Sequence, residues 1–386
     1  MTKFLKDLHY TDLMSEVAKM TKLENFGNPL HIKGLGELAN SINKEALLNQ
    51  VGIEAQKKRI IGILINRLRF ENDLLKFPEI QEEEIGNPIF IVGLPRTGST
   101  MIHRLLSTDI NHTSMLWWEG RNPSRLENEE RGKSFKRIEI GKEEVELLLK
   151  ASPDLLKIHP MDAMAPDEEI LLLEHSFFST VPESFMYLPS YSRWIESQDH
   201  TTAYEYLKSF LQYLQWQNPS RSDKRWILKT PHHMGYVDVI LKVFPGAKII
   251  QTHRNPLDTI PSYCSMVTTL AEPLTDNLDL SLLSNHWEKK LARVMEHCME
   301  VSRFNPKKFI DINYIHLIKS PLHELEKIYE FIDKPFASTT KDGMQKWLIQ
   351  NKQHKHGQHN YSSANYGLSD EIITKDFSKY IDTYIS

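Results

Sequence analysis

A short apolar run that leads through a glycine-bounded loop into a helix restricts the fold of this chain more than any other feature. Residues Ile89–Val92 are all apolar, which predicts a strand buried on both faces. The loop Gly93–Thr100 follows with the spacing G-x-x-x-x-G-S-T. After it, Ile102, Leu105 and Leu106 recur on one face of a predicted helix. A buried strand, a tight loop and a helix in this order are typical of phosphate-binding α/β proteins.

Two further strand candidates also end in charged residues. Trp226–Leu228 runs into Lys229, and Lys248–Thr252 runs into His253 and Arg254. Helical patterns separate these strands, and strands that alternate with helices predict a parallel sheet with right-handed crossovers. In such sheets ligands bind at the carboxyl ends of the strands, which is where these cations lie. The predicted fold class is therefore α/β, with a P-loop-like three-layer arrangement of a central parallel sheet flanked by helices.

The rest of the chain is interpreted as a helical N-terminal part and one large domain. Residues 1–86 carry apolar residues at helical spacing and no chemical motif, so we interpret them as a helical extension. Residues 87–386 are predicted to form the main domain, with a mostly helical, aromatic-rich insertion at about 120–222. We interpret the insertion as a core layer, and part of it is free to wall a substrate cavity.

Charge and cysteine content exclude several classes of protein. The net charge of −4 lacks the basic excess of nucleic-acid-binding proteins, so any anion site must be local. Cys264 and Cys298 are the only cysteines, which excludes a secreted disulfide scaffold. The charged start lacks the apolar segment of a signal peptide, and no apolar run is long enough for a membrane span. We therefore expect a cytoplasmic protein, and the oligomeric state is left open.

The Gly93–Thr100 loop is predicted to bind an anion. Gly93 and Gly98 permit tight backbone curvature, and the following helix start adds partial positive charge. Arg96 contributes a full charge and a planar set of donors. Such glycine spacings also occur in ordinary turns, but the strand, arginine and helix together favour the anion site. The candidate residues are Pro95, Arg96, Thr97, Gly98, Ser99 and Thr100.

A metal ion is not expected at this loop. Ser99 stands where nucleotide hydrolases carry a lysine, and no apolar strand ends in an aspartate suited to magnesium. A transferred γ-phosphate needs that metal because several charges crowd one group. A sulfuryl group carries a single negative charge, which arginine, lysine and backbone donors alone suffice to balance. The loop therefore predicts the binding of a phosphosulfate without metal.

A second anion site is predicted where the Lys248–Thr252 strand ends. Asn255 is a favourable helix N-cap and Pro256 a favourable first helical residue, so Arg254 lies beside a helix N-terminus. Pro261 interrupts this helix and is expected to kink it near Ser262. Two anion sites on one sheet suit a nucleotide that is phosphorylated at both ends of its ribose.

These segments together resemble the PAPS-dependent sulfotransferase family. Residues Pro95–Thr100 look like its 5′-phosphosulfate loop, and Arg254 with Ser262 matches its 3′-phosphate-binding arginine and serine. The Pro-Arg-Thr-Gly-Ser-Thr loop, Leu228–His233 and a C-terminal His359 resemble a mainly bacterial branch related to tyrosylprotein sulfotransferases. The resemblance covers roughly residues 88–370 and implies 3′-phosphoadenylyl sulfate (PAPS) as donor. It also implies adenosine 3′,5′-bisphosphate as product and a hydroxyl-bearing acceptor.

Four residues are assigned catalytic roles, and the resemblance implies two of them. Glu119 falls where tyrosylprotein sulfotransferases carry a glutamate base, and Lys229 falls where they carry a lysine that assists transfer. His233 is the competing base, and Arg96 is assigned with Lys229 to the bridging oxygen and sulfuryl charge. The chain lacks the membrane anchor and paired cysteines of the secretory relatives, so we expect a small-molecule acceptor rather than a protein tyrosine.

An acidic cluster and a histidine-rich run each allow two interpretations. Asp167–Glu169 precede an apolar helix and either complement its dipole or line the acceptor pocket. The histidine-rich run around His354 and His359 suggests a metal or, as the resemblance implies, a loop over the nucleotide with His359 near phosphate. The alternative functions are a magnesium-dependent P-loop phosphotransferase and a non-catalytic nucleotide-binding homologue.

Overall fold

A central parallel sheet organises the protein, and the computed structural model describes residues 8–151, 161–351 and 363–385. Within these residues the sheet has five strands in the order β2-β3-β1-β4-β5, and every pairing is parallel. The predicted parallel sheet is therefore confirmed, and β2 is a two-residue strand that is too short to leave an apolar pattern. The strands are β1 (Ile89–Gly93), β2 (His112–Thr113), β3 (Arg225–Lys229), β4 (Lys248–His253) and β5 (Phe309–Asn313).

Helices fill the connections and cover both faces of the sheet. In chain order, the α-helices of the described residues are α1 (Tyr10–Thr21), α2 (Pro29–Glu45), α3 (Gln50–Lys76), α4 (Ser99–Leu106), α5 (Trp117–Arg121), α6 (Phe135–Ala151), α7 (Ile170–Leu173), α8 (Pro189–Glu196), α9 (Thr201–Gln217), α10 (Val237–Val243), α11 (Pro256–Ala271), α12 (Leu280–Phe304), α13 (Tyr314–Lys319), α14 (Pro321–Phe331), α15 (Ser338–Gln350), α16 (Asp370–Asp376) and α17 (Ser378–Tyr384).

The alternation of β1 explains the three layers. Ile89 and Ile91 pack with α4, α13 and α14 on one face of the sheet. Phe90 packs with α9 and α10, and Val92 with α11 and α12, on the other face. Successive strand side chains point to opposite faces, so an all-apolar strand needs a helical layer on each side. The three-layer α/β prediction is confirmed.

The sheet brings the predicted charged residues to one edge. In the register of the ladder, Gly93 of β1 lies opposite Thr252 of β4, and Ile91 lies opposite Lys229 of β3. Arg254 comes two residues after Thr252. Because all three strands run in the same direction, their carboxyl ends form one crevice, as expected for ligand sites in open parallel sheets.

The N-terminal helices share their core with the sheet layer. The apolar cluster that contains Leu13 and Val17 continues through α3 and α9 to Phe90. The guanidinium of Arg67 in α3 is fully buried and donates to the carbonyls of Phe26 (3.1 Å) and His175 (2.5 Å). The first bond ties α3 to the loop between α1 and α2, and the second ties it to the segment that follows α7. The proposed division at residue 86 stays a prediction, and so does the cytoplasmic location.

Every helix within residues 8–151, 161–351 and 363–385 is either too short or too polar to cross a lipid bilayer.

Candidate active site

The loop after β1 has positive φ angles at Gly93, Arg96 and Gly98. Gly93 has φ 144°, and an added Cβ would lie 2.3 Å from Thr252 Oγ1, because β4 passes directly beside it. Gly98 has φ 86° and is the N-cap of α4. Between them Arg96 adopts a left-handed φ of 70°, which is uncommon for a side-chain-bearing residue and is frequent at functional sites. Thr97 Oγ1 fixes the loop through Leu94 O (2.7 Å) and Thr252 Oγ1 (2.6 Å).

The start of α4 directs backbone donors toward the crevice. Gly98 O accepts the first hydrogen bonds of the helix, from Met101 N (3.0 Å) and Ile102 N (3.2 Å). The N–H groups of Ser99 and Thr100 come earlier in the chain, in the first turn, where N–H groups have no acceptor within the helix. Such N–H groups at a helix start, together with the helix dipole, favour an anion. Pro95, Ser99, Thr100 and the exposed Arg96 line one cavity.

The second predicted anion site touches the first. Arg254 Nη1 donates to the carbonyl oxygen of Arg96 at 3.1 Å, and its guanidinium stacks 4.4 Å from the centre of the Tyr314 ring. The hydroxyl of Tyr380 in α17 accepts from Arg254 N at 3.2 Å. Ser262 is buried in the second turn of α11. The structure thus brings Arg96 and Arg254 into one crevice.

Lys229 carries a cation from the end of β3 to the start of α4. Its side chain is 2% exposed. The ammonium donates to Thr100 Oγ1 at 3.2 Å and forms an ion pair with Glu168 Oε1. A buried lysine needs such a partner, because an unpaired charge in the interior is costly. The contacts place its charge next to the anion-binding helix start.

Glu119 lies outside the cavity and is committed to structure. Its Oε2 accepts from Leu116 N at 2.8 Å as part of the cap of α5. The same oxygen accepts from Arg221 Nη2 at 2.9 Å, and both side chains are buried. A carboxylate held by a helix cap and a buried arginine does not reach a substrate in this crevice. The geometry does not favour Glu119 as the base.

His233 is also a buried structural residue. Its Nδ1 lies 2.7 Å from the Tyr204 hydroxyl, and its Nε2 pairs with Glu169. Burial raises the pKa of Glu169, but the charge and hydrogen bond of His233 outweigh this and hold that pKa below its ordinary value. Both ring nitrogens of His233 are therefore engaged, and neither is available to an acceptor. The geometry does not favour His233 as the competing base.

The neighbouring His232, which the sequence did not single out, faces the cavity instead. Its Nδ1 lies 3.2 Å from Thr180 Oγ1. Burial lowers the pKa of His232 well below its ordinary value, so the ring is neutral. Residues Pro231–Tyr236 form a 3₁₀ turn, in which consecutive side chains diverge by about 120°. Thr230 and Pro231 signal the turn in the sequence, since Thr230 Oγ1 accepts from His232 N at 3.3 Å, but they do not signal which histidine faces the cavity.

The cavity has a volume of about 280 Å³ and joins the anion loop to an apolar chamber. Asp167 and Glu168 line it, whereas Glu169 is buried beneath His233. Of the acidic cluster Asp167–Glu169, the first two residues line the cavity and the third does not. Large apolar side chains from distant segments complete the wall, among them Trp117, Ile170, Phe185, Tyr263, Leu270 and Trp287.

The predicted C-terminal candidates lie outside the described residues, and these include His354 and His359. Over the part of the chain that the structure does describe, no three His, Cys, Asp or Glu side chains are grouped so that they could hold a metal ion. The role of His359 near phosphate therefore stays a prediction.

Comparisons with known proteins identify the family. A model of the sulfotransferase family matches residues 88–338. The omega-hydroxy-beta-dihydromenaquinone-9 sulfotransferase Stf3 of Mycobacterium tuberculosis is 26% identical over 313 residues, which are 77% of this chain and 74% of that protein. The crystal structure of sulfotransferase STF1 from M. tuberculosis H37Rv superposes with a TM-score of 0.84 and 26% identity over 97% of this chain and 99% of that one.

The crystal structure of sulfotransferase STF9 from Mycobacterium avium shares the fold, with a TM-score of 0.87 and 24% identity over 100% of this chain and 98% of that one. The family match covers more than half of the chain and includes the loop, Lys229 and Arg254. The resemblance found in the sequence is thereby confirmed: the chain belongs to the sulfotransferase family, whose members transfer a sulfuryl group to an acceptor.

Proposed function

We propose that this enzyme takes its sulfuryl group from PAPS and transfers it, without a metal ion, to the hydroxyl of an apolar small molecule. One observation carries the proposal. A single cavity is lined by Arg96, Ser99 and Thr100, which we name its donor end, and by aromatic and aliphatic side chains, which we name its acceptor end. A site of this kind suits an anionic donor and an apolar acceptor that meet between the two ends.

The contact between the two anion segments supports a doubly phosphorylated nucleotide as donor. Arg254 reaches the Arg96 carbonyl at 3.1 Å, so one ligand can span both segments. In this proposal the phosphosulfate lies on the first N–H groups of α4. The 3′-phosphate lies against Arg254 and Ser262, where a guanidinium and a hydroxyl are the donors that phosphate prefers.

Lys229 supports transfer without metal. In P-loop proteins the hydroxyl at the position of Thr100 binds magnesium, whereas here that hydroxyl accepts from Lys229 Nζ at 3.2 Å. The ammonium thus supplies positive charge where the metal would be. As the acceptor oxygen attacks sulfur, the departing phosphate oxygen gains charge, which Lys229 and Arg96 stabilise. The products are the sulfated acceptor and adenosine 3′,5′-bisphosphate.

The apolar end of the cavity supports an acceptor with an apolar body. Trp117, Phe185 and Trp287 offer contact area and few hydrogen bonds. The relative Stf3 is named for an omega-hydroxylated dihydromenaquinone, which combines an apolar body with a hydroxyl. We extend that chemical class, rather than that compound, to this chain.

Removal of the Arg254 charge tests the donor. Arg254→Ala is expected to weaken adenosine 3′,5′-bisphosphate binding about 10- to 100-fold, because a charge-assisted hydrogen bond is worth about 1.5–3 kcal/mol. Titration calorimetry measures the affinity. The exposed Arg303 of α12, changed to alanine, is the control and should bind as the wild type does. Unchanged affinity in Arg254→Ala would reject a doubly phosphorylated donor at this site.

A further inference from the structure

We infer that Glu168 is the general base that removes the proton of the acceptor hydroxyl, and that Lys229 holds this carboxylate until the donor binds. The inference rests on the proposed function and deepens it by naming a residue for the proton transfer. It differs from the sequence analysis, which assigned the general base to Glu119 with His233 as the alternative.

Contacts across the cavity carry the inference. Glu168 lies just before α7, and about a quarter of its side chain is exposed (23%). It lines the same cavity as Ser99 and Thr100. Its Oε1 pairs with Lys229 Nζ, and the same nitrogen donates to Thr100 Oγ1 at 3.2 Å. The carboxylate therefore lies two contacts from the helix start where the phosphosulfate is proposed to bind.

Two other carboxylates near the crevice are held by structural partners. Glu119 is bound to Arg221 and Leu116 N, and Glu169 is bound to His233. Asp167 also lines the cavity, and its Oδ1 accepts from the backbone N of Glu168 at 2.7 Å, which ties one oxygen of that carboxylate to its own chain. Glu168 combines a place on the cavity wall with an ion pair to Lys229.

The ion pair suggests how the base becomes available. Lys229 has three N–H donors, of which one reaches Thr100 and one reaches Glu168. A phosphosulfate beside Thr100 brings negative oxygens that compete with Glu168 for the ammonium. As Lys229 turns toward the bridging oxygen of the donor, the carboxylate is released toward the acceptor hydroxyl. The base is thus paired when the donor is absent and free when it is present.

The proposed step conserves atoms and charge. The acceptor O–H bond breaks, and its proton passes to a Glu168 oxygen. The acceptor oxygen uses a lone pair to form the new S–O bond. The S–O bond to the 5′-phosphate breaks, and its electron pair stays on the phosphate oxygen beside Lys229. Glu168 then returns its proton to solvent.

A pair of phenols distinguishes a base from a structural residue. An alkylphenol must lose its proton during attack, whereas its ring-nitrated counterpart is largely ionised in mildly alkaline buffer. In Glu168→Gln, kcat for the alkylphenol is expected to fall about 10²- to 10⁴-fold, and kcat for the nitrated phenol much less. The affinity for adenosine 3′,5′-bisphosphate should stay near that of the wild type. The exposed Glu205 of α9, changed to glutamine, is the matched control.

Two results would overturn the assignment of Glu168. Equal losses with both phenols would indicate a structural role, and unchanged rates would indicate no role. A wild-type protein that binds no adenosine 3′,5′-bisphosphate would instead sink the proposed function, and this inference with it. Glu168→Asp serves as the conservative variant and should regain part of the rate, since it keeps a carboxylate that is one methylene shorter.

His232 is the rival base on the cavity wall, because its ring is neutral and lies on that wall. His232→Asn is expected to change kcat for the two phenols by similar factors. Should it instead reproduce the loss that is confined to the alkylphenol, while Glu168→Gln does not, the imidazole is the base and the inference for Glu168 is wrong.

Discussion

The two ends of the cavity are built in opposite ways. The donor end consists of consecutive residues, Pro95–Thr100, and of the strand end that carries Lys229. The acceptor end draws single side chains from segments far apart in sequence, such as Trp117, Phe185 and Trp287. Backbone N–H groups and fixed φ values define the first end, whereas side-chain packing defines the second.

This difference separates the chemistry from the choice of acceptor. Substitutions in the donor end change a backbone geometry that the reaction needs, and Gly93, pressed against Thr252, has no substitute without strain. Substitutions in the acceptor wall change the shape of an apolar chamber, where volume matters more than any one group. We therefore expect donor-end changes to alter turnover and acceptor-end changes to alter substrate preference.

Loss of the Lys229 charge is the largest effect expected at the donor end. Lys229→Met keeps the length of the side chain but removes the charge beside the leaving oxygen, so kcat should fall about 10²- to 10³-fold. Single-turnover transfer of labelled sulfate from PAPS measures this rate. The exposed Lys346 of α15, changed to methionine, is the control. A Lys229→Met enzyme with full turnover would show that backbone donors and Arg96 suffice.

Glu119→Gln compares a buried acid outside the cavity with Glu168 on its wall. The change leaves Arg221 without a full counter-charge in a buried pair, so the free energy of unfolding should fall by about 1–3 kcal/mol. Among folded molecules kcat should stay near the wild-type value. Urea unfolding and the phenol assay measure the two quantities separately. Unchanged stability together with lost turnover would restore Glu119 as the base that the resemblance implies.

The sequence predicted the donor end far better than the acceptor end, because the donor end is local. The hydrophobic pattern and the glycine spacing predicted β1, the loop and α4. The predicted N-cap at Asn255 is also present, since its Oδ1 accepts from Leu257 N at 3.0 Å. The contact between Arg96 and Arg254 follows from the pairing of β1 with β4, in which Gly93 lies opposite Thr252; the sequence predicted only that both residues lie at the carboxyl ends of strands of one sheet. The short strand β2 was not predicted, because two residues are too few to show a periodic pattern.

The roles of the acidic residues and the histidines could not be predicted from the sequence, for a different reason. Glu119 and Glu168 both precede or enter short helices, and only tertiary contacts decide that Arg221 takes the first and Lys229 the second. His232 and His233 are adjacent, and the contacts of His233 with Tyr204 and Glu169 decide that His232 is the one that faces the cavity. Such choices depend on residues distant in sequence, so no local pattern contains them.

A smaller effect is expected where one apolar side chain of the acceptor wall is truncated. Leu270→Ala removes three carbons from the cavity wall that Trp287 also lines, and the loss of part of their contact with the acceptor should raise KM for an alkylphenol about tenfold. The affinity for adenosine 3′,5′-bisphosphate should not change, and this is the outcome that tests the separation of the two ends. The exposed Leu75 of α3 (73%), changed to alanine, is the control. A weakened nucleotide affinity in Leu270→Ala would show that the ends are coupled.

No effect at all is expected when divalent metal is removed. The Thr100 hydroxyl, which would bind magnesium in a P-loop phosphotransferase, instead accepts from Lys229, and two cations do not share one hydroxyl oxygen at close range. A chelator should therefore leave kcat unchanged in the wild type, because the ammonium supplies the charge in its place. It should also leave the residual rate of Lys229→Met unchanged. Inhibition that added magnesium reverses would favour the phosphotransferase, and it would mean that Lys229 leaves Thr100 when the nucleotide binds.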